Sequence, residues 1–371
     1  LRVFYICREP SGGRAGSMKI FRCQACKSAI YFENRFCGAC GHDLGYLPLA
    51  GMLTAVEPDG DVWVALAPDQ PRLRFCQNAG PDACNWLIDA DQENPFCLAC
   101  QHNGIIPDIN QGDNLQYWRD MEIAKHRLFY TLMAFGLPLQ TRAQNPEHGL
   151  IFKFLAEAPG EGAPKVLTGH DEGVIVINLN EADDVKRAKF RAALHEPYRT
   201  LLGHFRHEVG HYFWDVLVRD AGNIDACREV FGDERADYAE ALKAHYEHGA
   251  PADWQESFIS TYATSHPWED FAETWAHYLH IVDTLETASA FGLRIHPTFT
   301  RDDSLHVDID FNPYRANSID ELITAWLPLT FTMNNLSRSM GERDLYPFVL
   351  SAPVVRKLGF IHDMIRQAQP A

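Results

Sequence analysis

The chain has 371 residues, 46% of them apolar and 22% charged, with a formal net charge of −17. An aromatic content of 12% supports real cores and excludes wholesale disorder. The length fits about two or three domains, and the acidic balance argues against nucleic-acid binding driven by overall charge, because it repels phosphate at long range.

Residues 1–17 carry no Met, and their apolar stretch is too short for a signal-peptide core. Met18-Lys19-Ile20-Phe21 reads as an ordinary start, so 1–17 is expected to be an upstream or non-native leader. No apolar run reaches the roughly 20 residues a membrane span needs; 62–67 and 174–177 are short, and Pro328 interrupts 322–333. A cytoplasmic protein with no membrane partner is the expectation.

Ten cysteines occur, eight of them between positions 23 and 100. Cys23-x2-Cys26 is followed ten residues later by Cys37-x2-Cys40. Each pair can form a tight knuckle, and two knuckles complete a tetrahedral zinc site, so 18–50 reads as a zinc ribbon. Paired disulfides are the competing reading, which a reducing cytoplasm disfavours. Residues 51–110 read as β-rich, with strands near 53–56 and 62–66 and turns at Asp59-Gly60 and Pro68-Asp69. This segment holds Cys76-x7-Cys84 and Cys97-x2-Cys100, a second candidate structural zinc site. His102 is a possible substitute ligand there; three ligands with a spare thiol, or a shared cluster, are alternatives. Four protein ligands leave no open position, so both groups point to structure, with folding dependent on metal. Cys7 is unpaired, and Cys227 reads as an ordinary buried thiol.

After a turn-rich linker at 103–113, the pattern turns helical from Asn114. Strand candidates follow at 150–155 and 174–179, then helices dominate from Asp183 to about Leu285; the tail from 290 has no clear pattern. Within 198–221, with Pro197 suited to the first helical position and Gly222 to the end, apolar residues occupy one broad face. A separate stripe holds His204, His207, Glu208, His211 and Asp215. His207-Glu208-Val209-Gly210-His211 is an H-E-x-x-H motif, weak alone. Two histidines at i and i+4 can reach one ion, and Glu208 is placed to take a proton from water on that ion. A solvated polar face is the bland alternative.

The third ligand is expected from Pro267-Trp268-Glu269-Asp270-Phe271-Ala272-Glu273, where Pro267 can open a helix. Glu269 is the candidate ligand, and Glu273 the partner that fixes a ligand histidine's tautomer. Asp233, Glu234, Asp237, His204 and His277 are rivals, and both glutamates could be surface carboxylates. Tyr262 is a candidate oxyanion donor, with Tyr212 and Tyr238 as competitors; spacing alone favours an ordinary Tyr. The run 173–179 could hold an extended peptide if exposed, or be a buried strand.

These residues resemble a bacterial family of zinc-binding metallopeptidases with an N-terminal zinc ribbon. The resemblance rests on Cys23/26/37/40, on the stretch from Glu196 to Tyr212, and on Pro267 to Glu273. The core is also distantly similar to the anthrax lethal factor group of gluzincins, which maps onto His207, Glu208, His211, Tyr262, Glu269 and Glu273. It implies His207, His211 and Glu269 as ligands, Glu208 as general base and Tyr262 as transition-state donor. The expected architecture is α+β: zinc-ribbon modules of short strands, then a largely helical zincin-like domain with a small sheet over 111–371. One catalytic and two structural Zn²⁺ are expected, with a peptide or protein as substrate and a protein partner at the ribbons. A binding scaffold with a vestigial site is the competing class; a zinc hydrolase of a non-peptide amide would keep the same site.

Overall fold

The computed structural model describes residues 20–157, 166, 168–183, 185–187, 200–300 and 302–369. The proposed leader, Cys7 and Pro197 lie outside them.

A short hairpin, β1 (Ile20–Arg22) with β2 (Ala29–Tyr31), carries the first cysteines. Next comes a five-stranded antiparallel meander of β3 (Asp43–Leu47), β4 (Met52–Asp59), β5 (Val62–Ala65), β6 (Arg72–Phe75) and β7 (Leu87–Asp89). Because β3 pairs with β4, one hairpin joins residues on both sides of position 50. The expected linker at 103–113 is not all turn. It contributes β8 (Asn103–Ile105), which pairs with β9 (Ile151–Leu155) as the edge of a second sheet ordered β10-β11-β9-β8. Gly104 makes that pairing possible, since a Cβ there would meet the Ile151 side chain at 2.6 Å.

In that sheet, β10 (Gly169–Asp171) is the opposite edge and β11 (Val174–Asn178) lies inside, parallel to β9. The β-branched run at 174–178 is therefore a covered strand, as its near-continuous apolar sequence suits. Only β10 offers an open edge on that side among the described residues.

The helices are α1 (Asn114–Ala134), α2 (Leu201–Trp214), α3 (Ile224–Phe231), α4 (Tyr238–His248), α5 (Pro267–Ala290), α6 (Ile319–Ser339) and α7 (Ala352–Ala368). Thr200 caps α2: its Oγ1 accepts from Gly203 N at 2.9 Å. After Trp214 the helix widens into a π turn over Asp215–Arg219 and stops at Gly222, whose φ of +77° suits glycine. Pro267 does open α5, with His266 as the cap. The tail contains a two-residue hairpin, β12 (Arg294–Ile295) with β13 (Val307–Asp308), before α6 and α7. Pro328 sits within α6 without ending it. Among the described residues no helix is long and apolar enough to cross a membrane.

One apolar core runs from Phe21 to Ile365. The join between strand-rich and helical regions is aromatic: Phe32 packs 4.9 Å from Tyr46 and 5.3 Å from Tyr130 of α1, and Tyr46 packs 4.9 Å from Trp86. Such aromatic pairs add ~0.5–1.5 kcal/mol each beyond their buried area. Tyr130 then donates to Glu286 of α5 at 3.1 Å, tying the join to the helices behind the H-E-x-x-H segment.

Candidate metal centre

Two helices build the centre. On α2, His207, Glu208 and His211 are all buried, and on α5 so is Glu269. The helices approach closely at Gly210, where a Cβ would lie 3.1 Å from Ala272 Cα and 3.3 Å from Trp275 Cβ. A larger residue would push α2 away from α5 and separate the imidazoles from the carboxylate.

The ligand atoms of His207, His211 and Glu269 lie within 4.8 Å of one another. His207 Nε2 is 2.9 Å from Glu269 Oε2, His211 Nε2 is 3.5 Å from it, and the two Nε2 atoms are 3.2 Å apart. Glu269 Oε2 is buried without a hydrogen bond of its own. On the far side, His207 Nδ1 pairs with Glu273 Oε1 at 2.7 Å, and Ser260 Oγ donates to Glu273 Oε2 at 2.6 Å. The Tyr238 hydroxyl donates to Glu269 Oε1 at 2.7 Å. Two imidazoles and a carboxylate, converging with an orphaned buried oxygen between them, fit a zinc ion.

Burial opposes charge on His207, Glu269 and Glu273, but the contacts win. Against burial, the flanking glutamates hold the His207 imidazole well above its ordinary value. Against burial, the two histidines hold Glu269 well below the usual carboxylate range, and His207 holds Glu273 down to about 2.

Glu208 stands beside this group. Its Oε1 accepts from His204 Nε2 at 3.0 Å, while Oε2 is buried without a hydrogen bond. Burial raises its pKa, but the His204 contact brings it below its ordinary value, so it is a carboxylate at neutral pH. His204 Nδ1 in turn faces Glu181, at the end of the β11 connection. The Tyr262 ring lies 5.8 Å from the His207 ring. His170, on β10, lies 6.2 Å from the His211 ring, nearly parallel to it, and burial lowers its pKa to about 3.

Of the rivals for a third donor, none joins the pair. Glu234 is paired with Arg228 and Asp233 with Arg235; Asp237 caps α4, and His277 Nδ1 pairs with Tyr346. Sequence reading did not find Ser260, Glu181 or His170. They arrive from separate segments, and only the i−4 spacing of His204 to Glu208 hints at the first step toward Glu181.

The cysteines gather as two groups. In the first, Cys23 and Cys40 Sγ are 3.7 Å apart and Cys26 and Cys37 Sγ 3.6 Å apart. Lys27 N donates to Cys23 O and Gly41 N to Cys37 O, each at 2.8 Å, so both knuckles use the same turn. Lys27 and Gly41 both have positive φ, +65° and +77°. In the second group, Cys76, Cys84, Cys97 and Cys100 are all buried. Gln101 N donates to Cys97 O at 3.0 Å, repeating the turn, and Cys97 N donates to Cys76 Sγ at 3.3 Å. His102 is not part of this donor group; its Nδ1 meets Leu150 O at 2.8 Å. The imidazole beside them is His126 of α1. Cys227 is a buried thiol, and burial pushes its pKa up to about 12.

Comparison with known proteins agrees with this layout. The family model described as "Putative zinc-binding metallo-peptidase" matches residues 114–364, and a zinc-ribbon domain matches residues 20–111. Uncharacterized proteins of Mycobacterium tuberculosis (Rv2568c) and Mycobacterium bovis (Mb2598c) are each 41% identical over 355 residues, covering 95% of this chain and 97% of theirs. No solved structure matches. With two helices converging on one donor set and a cysteine-rich region ahead of them, the chain belongs to this zinc-binding metallo-peptidase family, and its N-terminal part is a zinc-ribbon domain.

Proposed function

We propose that the chain is a zinc-dependent peptidase in which His207, His211 and Glu269 hold the metal of the active site. The observation that carries the reading is the convergence of these three buried donors beside a carboxylate, Glu208, that is not one of them. When bound, zinc supplies a Lewis acid that polarises the scissile carbonyl and acidifies a water.

The chain's own residues do the rest. Glu208 accepts the proton of the attacking water and passes it to the leaving amine. His204 fixes the carboxylate through Oε1, leaving Oε2 for the transfer. Glu273, held by Ser260, orients His207, and Tyr238 orients Glu269. Tyr262 donates to the developing oxyanion. An extended peptide pairs with the open edge of β10, the strand that also carries His170. The two cysteine groups hold one structural zinc each.

The test combines metal counting with cleavage. The full chain should contain three zinc ions. With a mixture of unfolded-protein peptides as substrate, new N-termini should appear by mass spectrometry. Glu208→Gln should keep all three ions and lose cleavage by ~100-fold or more. Two ions per chain and no cleavage would instead favour a zinc-stapled binding protein.

A further inference from the structure

We propose that His126 is a fifth donor of the second cysteine group, a reserve ligand that α1 supplies from outside the zinc-ribbon match. The proposal rests on reading that group as a zinc site and is independent of peptidase activity.

The His126 ring is buried against Trp86, with centroids 5.0 Å apart. Its Nδ1 lies 2.6 Å from the main-chain oxygen of Glu122. A carbonyl oxygen only accepts, so Nδ1 carries the hydrogen, and in the neutral ring Nε2 is a bare lone pair. That atom lies 3.3 Å from Cys84 Sγ and 3.7 Å from Cys100 Sγ. With both sulfurs as thiolates, as in a metal-loaded group, that lone pair is repelled unless the metal lies between them; in the metal-free group a thiol S–H would donate to it. An Nδ1–H held by a carbonyl is also the arrangement that sets the tautomer of metal-binding imidazoles.

Zinc takes four ligands in a closed site. Here the four thiols lie within 4.8 Å of one another, and His126 adds a fifth donor against the edge defined by Cys84 and Cys100. Cys100, His126 and Glu122 form a compact donor set of their own. His126 can therefore take the place of Cys100. The exchange breaks one metal–sulfur bond and makes one metal–nitrogen bond. The released sulfur takes up a proton from solvent and donates it to Glu122 Oε2, 3.7 Å away, while Lys125 Nζ donates to the same carboxylate at 2.9 Å. Cys76 lacks such a neighbour, because His126 Nε2 approaches only Cys84 and Cys100 among the thiols.

The experiment uses the full chain, with zinc counted by mass spectrometry and the cadmium-loaded protein followed by ¹¹³Cd NMR. C76S should lose one metal per chain. C100S should keep it, with its cadmium resonance moved upfield as nitrogen replaces sulfur, and C100S/H126Q should lose it. Loss of the metal in C100S to the same extent as in C76S would overturn the proposal, as would retention in the double variant. If the wild-type chain carries no ion in this group for C76S to lose, the parent reading of a zinc site fails instead. H126Q leaves all four thiols in place and decides the matter if the serine variants do not fold. Release to a chelator about tenfold faster supports the proposal, and unchanged release overturns it.

Discussion

Both cysteine groups contain a Cys-x2-Cys turn closed by a main-chain hydrogen bond back to its first cysteine, but they sit at different depths. In the first, Cys26 is half-buried and Cys40 is exposed; in the second, all four are buried. The first is edged by His42, which meets Cys40 at 3.4 Å and the exposed Glu57. The second is enclosed by α1, with a fully buried Lys125–Glu122 pair beside it. The contrast teaches that one sequence motif serves two ends. Near the surface it staples a hairpin, while under α1 it joins the ribbon region to the helices.

The largest effect should come from removing a ligand in each group. Cys97→Ser should abolish the second ion and the cooperative unfolding of the whole chain, since structural zinc contributes ~10 kcal/mol or more in comparable sites. Cys40→Ser should remove one ion and leave the helical region folded, as read by circular dichroism melts. Equal damage from both would erase the distinction of depth. A chelator titration sharpens it: the first group should release its ion before the second.

Next comes the charge pair. Lys125→Met leaves Glu122 buried and unpaired and should cost about 3–5 kcal/mol in denaturant unfolding. The surface counterpart, His42→Ala, should change stability by no more than about 0.5 kcal/mol. A smaller effect is expected from acid. Burial lowers the pKa of His102, under α1, and of His277, in α5, to about 4 each. Both are neutral when folded and take up protons more readily when unfolded, where the pKa is near 6.5. Their stabilisation is present above about pH 6.5 and falls away toward pH 4. Melting temperature measured across that window should decline, and His277→Gln should flatten the decline.

How much of this could be read from the chain alone follows from distance along it. The Cys-x2-Cys turns and the His207–His211 pair are set by spacings of three and four residues, so local geometry displays them. The α5 start at Pro267 is equally local. Ser260 behind Glu273, Glu181 behind His204 and His126 beside Cys84 come from elsewhere in the chain, and no period marks them. The strand at 174–178 was legible as a strand, with an exposed and a buried reading both open, because the edge neighbour β10 that decides between them leaves no mark in β11's own sequence. The same holds for β8, whose three residues looked like linker until β9 supplied a partner.

That last strand has a practical corollary. Residues 103–105 lie within the zinc-ribbon match, yet they close the sheet of the peptidase match. Severing the chain between the two matches would strip β9 of one of its two neighbours and expose unpaired amides along a hydrophobic ribbon. The helical half expressed alone should then self-associate, and the two halves are better regarded as one inseparable folding unit than as interchangeable cassettes.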